Sequence, residues 1–377
     1  MVRVEEFSSF RELDDLRCIW DSILQKSKDN DVFSTWEWLS SWWEHFGKGR
    51  RLRVLVAREK DEIVGIAPLM LSNHDFMHFG GIREIGFIGS PQSDYNNLIL
   101  LNNERECLKM FLNHIVSEHD WNILRLGDVR EGTLSAKLLC EVLTGDRLKL
   151  QHRVTTLCPY ITLPNTIEDF MKKLPSHRRK DIRRRLHRLR DKYLIEFKTY
   201  TDFNSIEEAM NVFCGLHQKR WKSKGKSGNL ALRTVRDFHT AIARSFADKG
   251  WLSLYFLTAN EEPVAAAYSF DYGQKTYAYL TGFDPRFAKY GVGSLLYMHA
   301  IEMSIRKRFK EFDLTRGYEP YKVRWSTEVR KNFEVELVRE GLSVGIYKSR
   351  IYQLVRMWSS LARDMIHGLG PSAHGEE

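Results

Sequence analysis

A β-rich run ending at Gly282-Phe283-Asp284-Pro285, then Tyr290-Gly291-Val292-Gly293-Ser294, then an apolar helical pattern at Leu295, Met298, Ile301 and Ile305 make an arrangement suited to a pyrophosphate. Glycines let the backbone approach the anion, and the N–H groups that open a helix face it. The same Gly-x-Gly also serves as a tight strand-to-helix turn without any ligand. The matching point in the first half, Leu101-Asn102-Asn103-Glu104-Arg105, has no glycine and puts an acid where the phosphate would sit. A turn requirement shared by both halves predicts glycine in both, so the comparison favours an anion site in the second half alone.

A second concentration of charge lies at Ser176 to Lys192, SHRRKDIRRRLHRLRDK, where nine Lys or Arg stand against two Asp and supply much of the formal net charge of +9. Ile182, Leu186, Leu189 and Tyr193 recur at helical spacing, which leaves the arginines on the remaining surface. Such a helix is a solvated face, a dock for an anionic acceptor or membrane surface, or a ladder of contacts to nucleic-acid phosphates. No zinc-ligand spacing accompanies it, and aromatic residues are not interleaved with the basic run.

The elements that must position these residues are written twice. Leu52 to Met70 and Leu252 to Phe270, 200 residues apart, each read as strand, polar turn, strand, with Leu52/Leu252, Glu62/Glu262, Val64/Val264 and Ala67/Ala267 identical. After the first hairpin come strands at Ile85 to Ile88 and Asn97 to Leu101, a helical face at Leu108, Phe111, Leu112 and Ile115, and a strand at Ile123 to Leu126. After the second come a strand at Thr276 to Thr281, the glycine turn, its helix, and a strand at Glu311 to Leu314. Helices around Trp36 to Phe46, Asp169 to Tyr193 and Ile206 to Trp221 introduce the halves. The expected fold class is therefore α/β, with mixed α+β sheets in two tandem β-β-β-α-β domains carrying helical additions. The expected domains are 1–160, without a phosphate loop, and 161–345, with the donor site. An amphipathic helix over 346–368 (Ile351, Leu354, Val355, Trp358 and Leu361 on one side, with Arg350, Arg356 and Arg363 nearby) and a disordered tail over 369–377 follow.

The chain's 377 residues suffice for two such cores, and 43% hydrophobic with 28% charged residues is the balance of a folded globular protein. Five scattered cysteines without a C-x-x-C pair fit a reducing compartment. With no signal-peptide core at the start and no apolar run of about 18 residues, the expected location is cytoplasmic, with peripheral contact at the inner face of the membrane through the basic and final helices.

Taken as a set, several segments resemble the GNAT acyltransferase superfamily, and over nearly 350 residues its FemAB-like, CelD-like tandem branch associated with polysaccharide gene sets. They are Phe33-Ser34-Thr35-Trp36-Glu37-Trp38 with Trp42-Trp43; Gly89-Ser90-Pro91-Gln92-Ser93-Asp94-Tyr95; the basic helix from Arg178; His217 with Arg220-Trp221; Gly282-Phe283-Asp284; and Arg316-Gly317 with Glu319-Pro320-Tyr321-Lys322 and Trp325. The resemblance implies an N-acyltransferase that uses acetyl-CoA or another acyl-CoA and acts on an amine of a sugar, polysaccharide precursor or envelope-related metabolite, with no metal. It also implies two alternatives: a FemAB-like aminoacyl transferase with a tRNA-linked donor, and a non-catalytic GNAT-like binding protein.

For the donor, the resemblance implies Tyr290, Gly291, Val292, Gly293 and Ser294. Acyl transfer to an amine needs a base for the amine proton, a polarised carbonyl and an acid for the thiolate. His217, Asp284 and Glu319 are the candidate bases and Tyr321 the candidate acid. Asp94, Tyr95, Arg220, Trp221, Tyr279, Lys322 and Trp325 are the expected acceptor-binding residues. The bland readings are a His217–Trp221 stack, an Asp284-Pro285 turn, a packed helix start at Tyr321, Lys322 and Trp325, and a plain loop at Asp94-Tyr95. Two positions depart from the family pattern. Ala288 stands where a Gln or Arg usually opens the phosphate loop, leaving Arg286 or Lys289 to supply the charge, and Tyr318 stands where an acid usually follows the closing strand's glycine.

Overall fold

A computed structural model describes residues 2–76, 80–143 and 149–339. The first half runs β1 (Val2–Phe7), α1 (Asp14–Lys26), α2 (Trp36–Phe46), β2 (Arg50–Glu59), β3 (Glu62–Phe76), β4 (Gly80–Phe87), β5 (Ile99–Leu100), α3 (Glu104–Ser117), β6 (Ile123–Arg130), α4 (Leu134–Leu143) and β7 (Lys149–Thr162). The second begins α5 (Ile167–Lys173), α6 (Ser176–Arg190), β8 (Ile195–Thr199), α7 (Ile206–Lys222) and α8 (Arg233–Asp248). It continues β9 (Leu252–Ala259), β10 (Glu262–Tyr272), β11 (Lys275–Phe283), α9 (Val292–Arg306), β12 (Glu311–Asp313), α10 (Pro320–Val323) and β13 (Glu328–Val338).

The chain forms two compact units. Their boundaries fall inside β7, after Leu157, and inside β13, after Val329, so that the stretch from Arg330 returns to the first unit. The first unit's sheet order is β1-β2-β3-β4-β6-β13, with β5 on β3, and its β4–β6 pair is parallel. The second unit's order is β8-β9-β10-β11-β12 followed by the end of β7, and its parallel pair is β11–β12. In each, the helix that links the parallel pair fills one core: Leu108, Phe111 and Ile115 of α3 in the first, Leu295, Leu296 and Ile301 of α9 in the second.

The duplicated hairpins share their turn as well as their residues. Lys60 and Asp61 have φ of 48° and 68°, and Asn260 and Glu261 have φ of 49° and 67°. This is the paired left-handed geometry whose twist suits two adjacent antiparallel strands.

Two expectations need correction here. The helix expected from Asp169 to Tyr193 is two helices, α5 and α6. Pro175 lacks an N–H and forces Leu174 to an extended ψ of 142°, which ends the first helix. The second concerns the turn before each unit's crossover helix. Gly291, the N-cap of α9, has φ 64° and ψ 37°, and Asn103, the N-cap of α3, has φ 50° and ψ 38°. The left-handed turn is therefore common to both units, with asparagine, the side chain that best tolerates it, replacing glycine in the first. Glycine at 291 is explained by the turn; what separates the units is the next two residues.

In the first unit Glu104 occupies the first helical position. Its carboxylate is held by its own amide and by Lys28 at 3.0 Å, both of which lower its pKa. A protein carboxylate thus already occupies that helix N-terminus. In the second unit the corresponding residues are Val292 and Gly293, which bring no charge. The helix expected over 346–368 and the tail over 369–377 lie outside the described residues.

Candidate functional site

The second unit gathers its reactive side chains around the carboxyl end of β11. Pairing of β11 with β12 covers only Lys275–Tyr277 against Glu311–Asp313, after which β12 turns away through Thr315 with φ 59°. Among the described residues, no strand pairs with the remaining length of β11 on that side. On its other edge, the register with β10 passes from Tyr268↔Leu280 to Ser269↔Ala278, so Tyr279 is an extra residue in a bulge. Bulges of this kind re-aim backbone and side chains at a site.

Helix α7 lies directly on this strand. A Cβ at Gly282 would stand 2.3 Å from the His217 amide nitrogen and 2.7 Å from the Leu216 carbonyl carbon, so glycine is required by backbone approach. This contact presents His217, Arg220 and Trp221 along β11. His217 is 2% exposed, and its Nε2 accepts a hydrogen bond from Trp221 Nε1 at 2.9 Å. Burial, with help from Arg220, lowers its pKa to about 3. The neutral ring that accepts at Nε2 carries its proton on Nδ1, and Nδ1 has no partner. His217 is therefore placed as a donor rather than as the base expected from the sequence.

Asp284 also leaves the list of bases. Its carboxylate accepts from Lys219 Nζ at 2.8 Å and from the Arg286 amide, Nε and Nη2 at 3.0–3.1 Å. Those bonds hold its carboxyl well below the usual carboxylate range. It caps the 3-10 turn Pro285–Tyr290 and anchors Arg286, which also pairs with Glu262 at 2.7 Å. Arg286 is thereby committed away from the loop, and Lys289 lies over the Tyr290 ring at 5.2 Å.

The charge missing at Ala288 comes from α6. A Cβ on Gly291 would stand 2.2 Å from Arg185 Nη1, so the guanidinium rests on the loop, with its Nε fixed by Asp181 at 2.6 Å. Beside it Arg188 lies over Tyr290, and Arg178 lies over Trp325 at 5.3 Å. The Ser294 and Leu295 amides donate back to the Gly291 carbonyl. The amides of Val292 and Gly293, as first-turn groups, have no intrahelical acceptor. A Cβ at Gly293 would meet nothing closer than Phe283 at 3.6 Å, so that glycine keeps the approach to the helix start open.

Two cavities meet here. One, of about 190 Å³, runs from Ala288, Gly291, Val292, Gly293 and Ser294 to Phe283 and Trp325. The other, of about 390 Å³, is lined by His217, Trp221, Lys224, Tyr279, Glu319, Lys322 and the Arg316 and Arg324 side of the closing loop. Arg220, Thr281, Tyr297 and Tyr321 line both. Arg220 donates to the Thr281 carbonyl at 3.2 Å and hydroxyl at 2.6 Å, and its guanidinium lies within 5.4–5.7 Å of the Trp221, Phe283 and Tyr321 ring centres. Tyr321 and Tyr297 meet edge to face at 6.0 Å, and burial pushes the Tyr297 hydroxyl well above its ordinary pKa.

Glu319 sits where the chain turns through Gly317, with φ 110°. A Cβ at Gly317 would lie 2.6 Å from Glu319 Oε2, which is 3.4 Å from Lys322 Nζ. The acid missing at Tyr318 is thus supplied by its neighbour, while Tyr318 itself is exposed.

Most of the expected residues come together: His217, Arg220, Trp221, Tyr279, Glu319, Tyr321 and Lys322 at the larger cavity, Gly291, Val292, Gly293, Ser294 and Trp325 at the smaller. Tyr290 is buried beneath the loop against Tyr193 and Phe287. Asp94 and Tyr95 correct the expectation, because they belong to the core of the first unit. Tyr95 is fully buried against Phe33 and under Arg130, and the Asp94 carbonyl accepts from Asn332 Nδ2 at 2.8 Å. The two aromatic and polar motifs near the start meet there, through Trp38 Nε1 on Ser93 Oγ at 2.9 Å and Asn97 Nδ2 on Asp31 at 2.6 Å.

Sequence reasoning missed Tyr297, Lys224, Arg324 and the aim of Arg185. Tyr297 stands four residues after Gly293, on the same helical face, which was a readable signal. Lys224 lies in a loop without periodicity. Among the described residues no group of three or more His, Cys, Asp or Glu could hold a metal ion, and no helix is long and apolar enough to cross a membrane.

Residues 176–323 match a family model described as an acetyltransferase (GNAT) domain. FemX is similar to this chain at 10% identity, with 94% of this chain and 99% of the other covered and a TM-score of 0.65. A conserved protein of unknown function from Bacteroides thetaiotaomicron is similar at 12% identity, with 90% and 100% covered and a TM-score of 0.53. No curated protein matches the sequence. The likeness to these two structures is one of fold, and it extends over both units.

Proposed function

We propose, because residues 176–323 match the acetyltransferase (GNAT) domain model, that the protein transfers an acyl group, with acetyl-CoA or another acyl-CoA as donor, to an amine of a sugar, polysaccharide precursor or envelope-related metabolite. The observation that carries this reading is the pair of cavities that meet at Arg220, Thr281, Tyr297 and Tyr321. In it, the donor's pyrophosphate lies on the opening amides of α9 beside Arg185, and the thioester reaches the junction along the unpaired length of β11. The acceptor amine enters from the larger cavity.

Glu319 takes the proton from the amine, directly or through a water. The amine nitrogen attacks the thioester carbonyl, the C–S bond breaks, and the departing thiolate receives a proton at the Tyr321–Tyr297 pair. A tyrosine kept protonated by burial suits that last role.

The test is thiol release from acetyl-CoA against a library of amines. Glu319→Gln should lower kcat by about 10²- to 10⁴-fold, the usual worth of a general base. Asp284→Asn, at a carboxylate held by Lys219 and Arg286, should not produce a loss of that size. A silent assay in a protein that still binds acetyl-CoA would favour a non-catalytic binding protein instead.

One observation favours a second reading, aminoacyl transfer from a charged tRNA. Arg183, Arg184, Arg188 and Arg190 remain exposed on α6, next to the donor loop. Charged tRNA held on filters across a salt series separates the two, since phosphate contacts weaken steeply with salt.

A further inference from the structure

The larger cavity has a charge pattern that a neutral amino sugar does not need. Its wall holds Arg220, Lys224, Arg316, Lys322 and Arg324 against a single carboxylate, Glu319. Lys322 is used internally, on the Arg316 carbonyl and on Glu319. Among the described residues Lys224 and Arg324 form no ion pair. The Lys224 ammonium lies 5.1 Å from the centre of the Trp221 ring. Burial, with the neighbouring Arg220 and Lys226, lowers its pKa against the pull of Glu319.

Two donors in the same wall have nothing to bond. His217 Nδ1 and Arg220 Nε are both buried without a partner, in a ring that is 2% exposed and in a guanidinium otherwise held by Thr281 and three aromatic rings. Buried N–H groups in native proteins nearly always find an acceptor, so orphans lining a cavity mark where a ligand's acceptor belongs.

We infer that the acceptor carries an oxyanion, a phosphate or a carboxylate, beside its amine, and that Lys224, Arg220 and the Nδ1–H of His217 hold it while Glu319 faces the amine. The inference rests on the transferase reading only in calling this ligand the acceptor; the oxyanion site itself stands on the cavity. The Trp221 ring supplies a flat wall beside Arg220 and Lys224, at 5.7 and 5.1 Å from its centre, and the substrate class is a zwitterion. Simple alkylamines are excluded by the same account, because they carry no acceptor for the His217 and Arg220 donors, and an amino sugar without an anionic group would leave Lys224 with no counter-charge in the wall.

The Trp221 indole N–H, bonded to His217 Nε2, reports on the site. Protein with ¹⁵N-labelled tryptophan, its Trp221 signal assigned by the loss in Trp221→Phe, is titrated with inorganic phosphate and with sodium acetate at constant ionic strength made up with chloride. A saturable shift of that signal with at least one of the two oxyanions is expected, and which one responds tells phosphate from carboxylate. Lys224→Gln should weaken the response by roughly tenfold or more, whereas Lys226→Gln, outside the cavity wall, should not. No saturable shift with either anion, or equal affinity in Lys224→Gln, overturns the proposal. The donor reading fails by a different result, absence of acetyl-CoA binding in calorimetry, which leaves this signal readable.

Discussion

Replacing Arg185 by glutamine removes the cation that the fold lays on Gly291 itself, and the geometry sets how much that should matter. The Nη1 atom lies 2.2 Å from where a Gly291 Cβ would be, and Nε is already committed to Asp181. A phosphate at the start of α9 therefore receives one charge-assisted bond from the far edge of the guanidinium. Such a bond is worth about 1.5–3 kcal/mol when sheltered, and with the side chain 33% exposed solvent screening brings it to about 1–2 kcal/mol. That is about a 5- to 30-fold rise in Kd. Calorimetry should show this loss with acetyl-CoA and none with acetyl-pantetheine, which has the same thioester arm but no pyrophosphate. The dependence of acetyl-CoA affinity on salt should also become shallower. Arg184→Gln is the control, since Arg184 shares Asp181 but is 67% exposed. An equal loss for both thioesters, or an unchanged Kd for acetyl-CoA, would refute the assignment.

Two further outcomes follow from burial. Gly282→Ala drives a Cβ into the backbone of His217 and Leu216, where no side-chain rotation relieves it. The expected destabilisation is about 3 kcal/mol, read as a fall in Tm of the second unit, and an unchanged melt would show that α7 does not rest on β11. Asp31, fully buried, is pushed from 3.8 to about 6 by desolvation against the pull of Arg130, Asn97 and the Phe33 amide. Its folded pKa is raised, so its stabilising contribution is complete below 3.8 and is lost as pH rises through 6. A difference of about 2 in pKa at ~1.4 kcal/mol each gives roughly 3 kcal/mol. The gap between the denaturation curves of wild type and Asp31→Asn should change by that order between pH 4 and pH 7; parallel curves would remove Asp31 from the account.

The duplicated architecture was legible because its signals are local. The polar turns at Lys60-Asp61 and Asn260-Glu261 and the apolar faces of α3 and α9 depend on neighbours in sequence. The turn before each crossover helix was misread for a physical reason: asparagine tolerates the left-handed region nearly as well as glycine, so Asn103 hid a geometry shared with Gly291. The site was partly legible. Residues on one helix or one loop, such as His217, Arg220 and Trp221, announce themselves by spacing. The choice of Arg185 among nine cations, the withdrawal of Asp284 into an ion pair, and the burial of Asp94 and Tyr95 depend on contacts between distant segments. The strand at Glu328–Val338 was also passed over, although Phe333, Val335 and Leu337 alternate with polar residues as an extended segment would; the polar partners, Glu334 and Glu336, are buried rather than solvated.

That strand has a bearing on the order of assembly. Val335 and Leu337 belong to the core of the first unit, and Glu334 and Glu336 meet Arg153 and Arg125 of that unit at 2.7–3.0 Å. A growing chain that has emerged as far as Val329 contains every element of the second unit's described fold but lacks the strand that pairs with β6. The amino-terminal unit must wait, with Arg125 paired to Glu84 alone and with β6 lacking its neighbour, until almost all of the described chain has left the ribosome. Synthesis of this protein therefore inverts the usual sequence in which the domain made first is finished first, and the unit that carries the glycine loop can close before the unit that is made first.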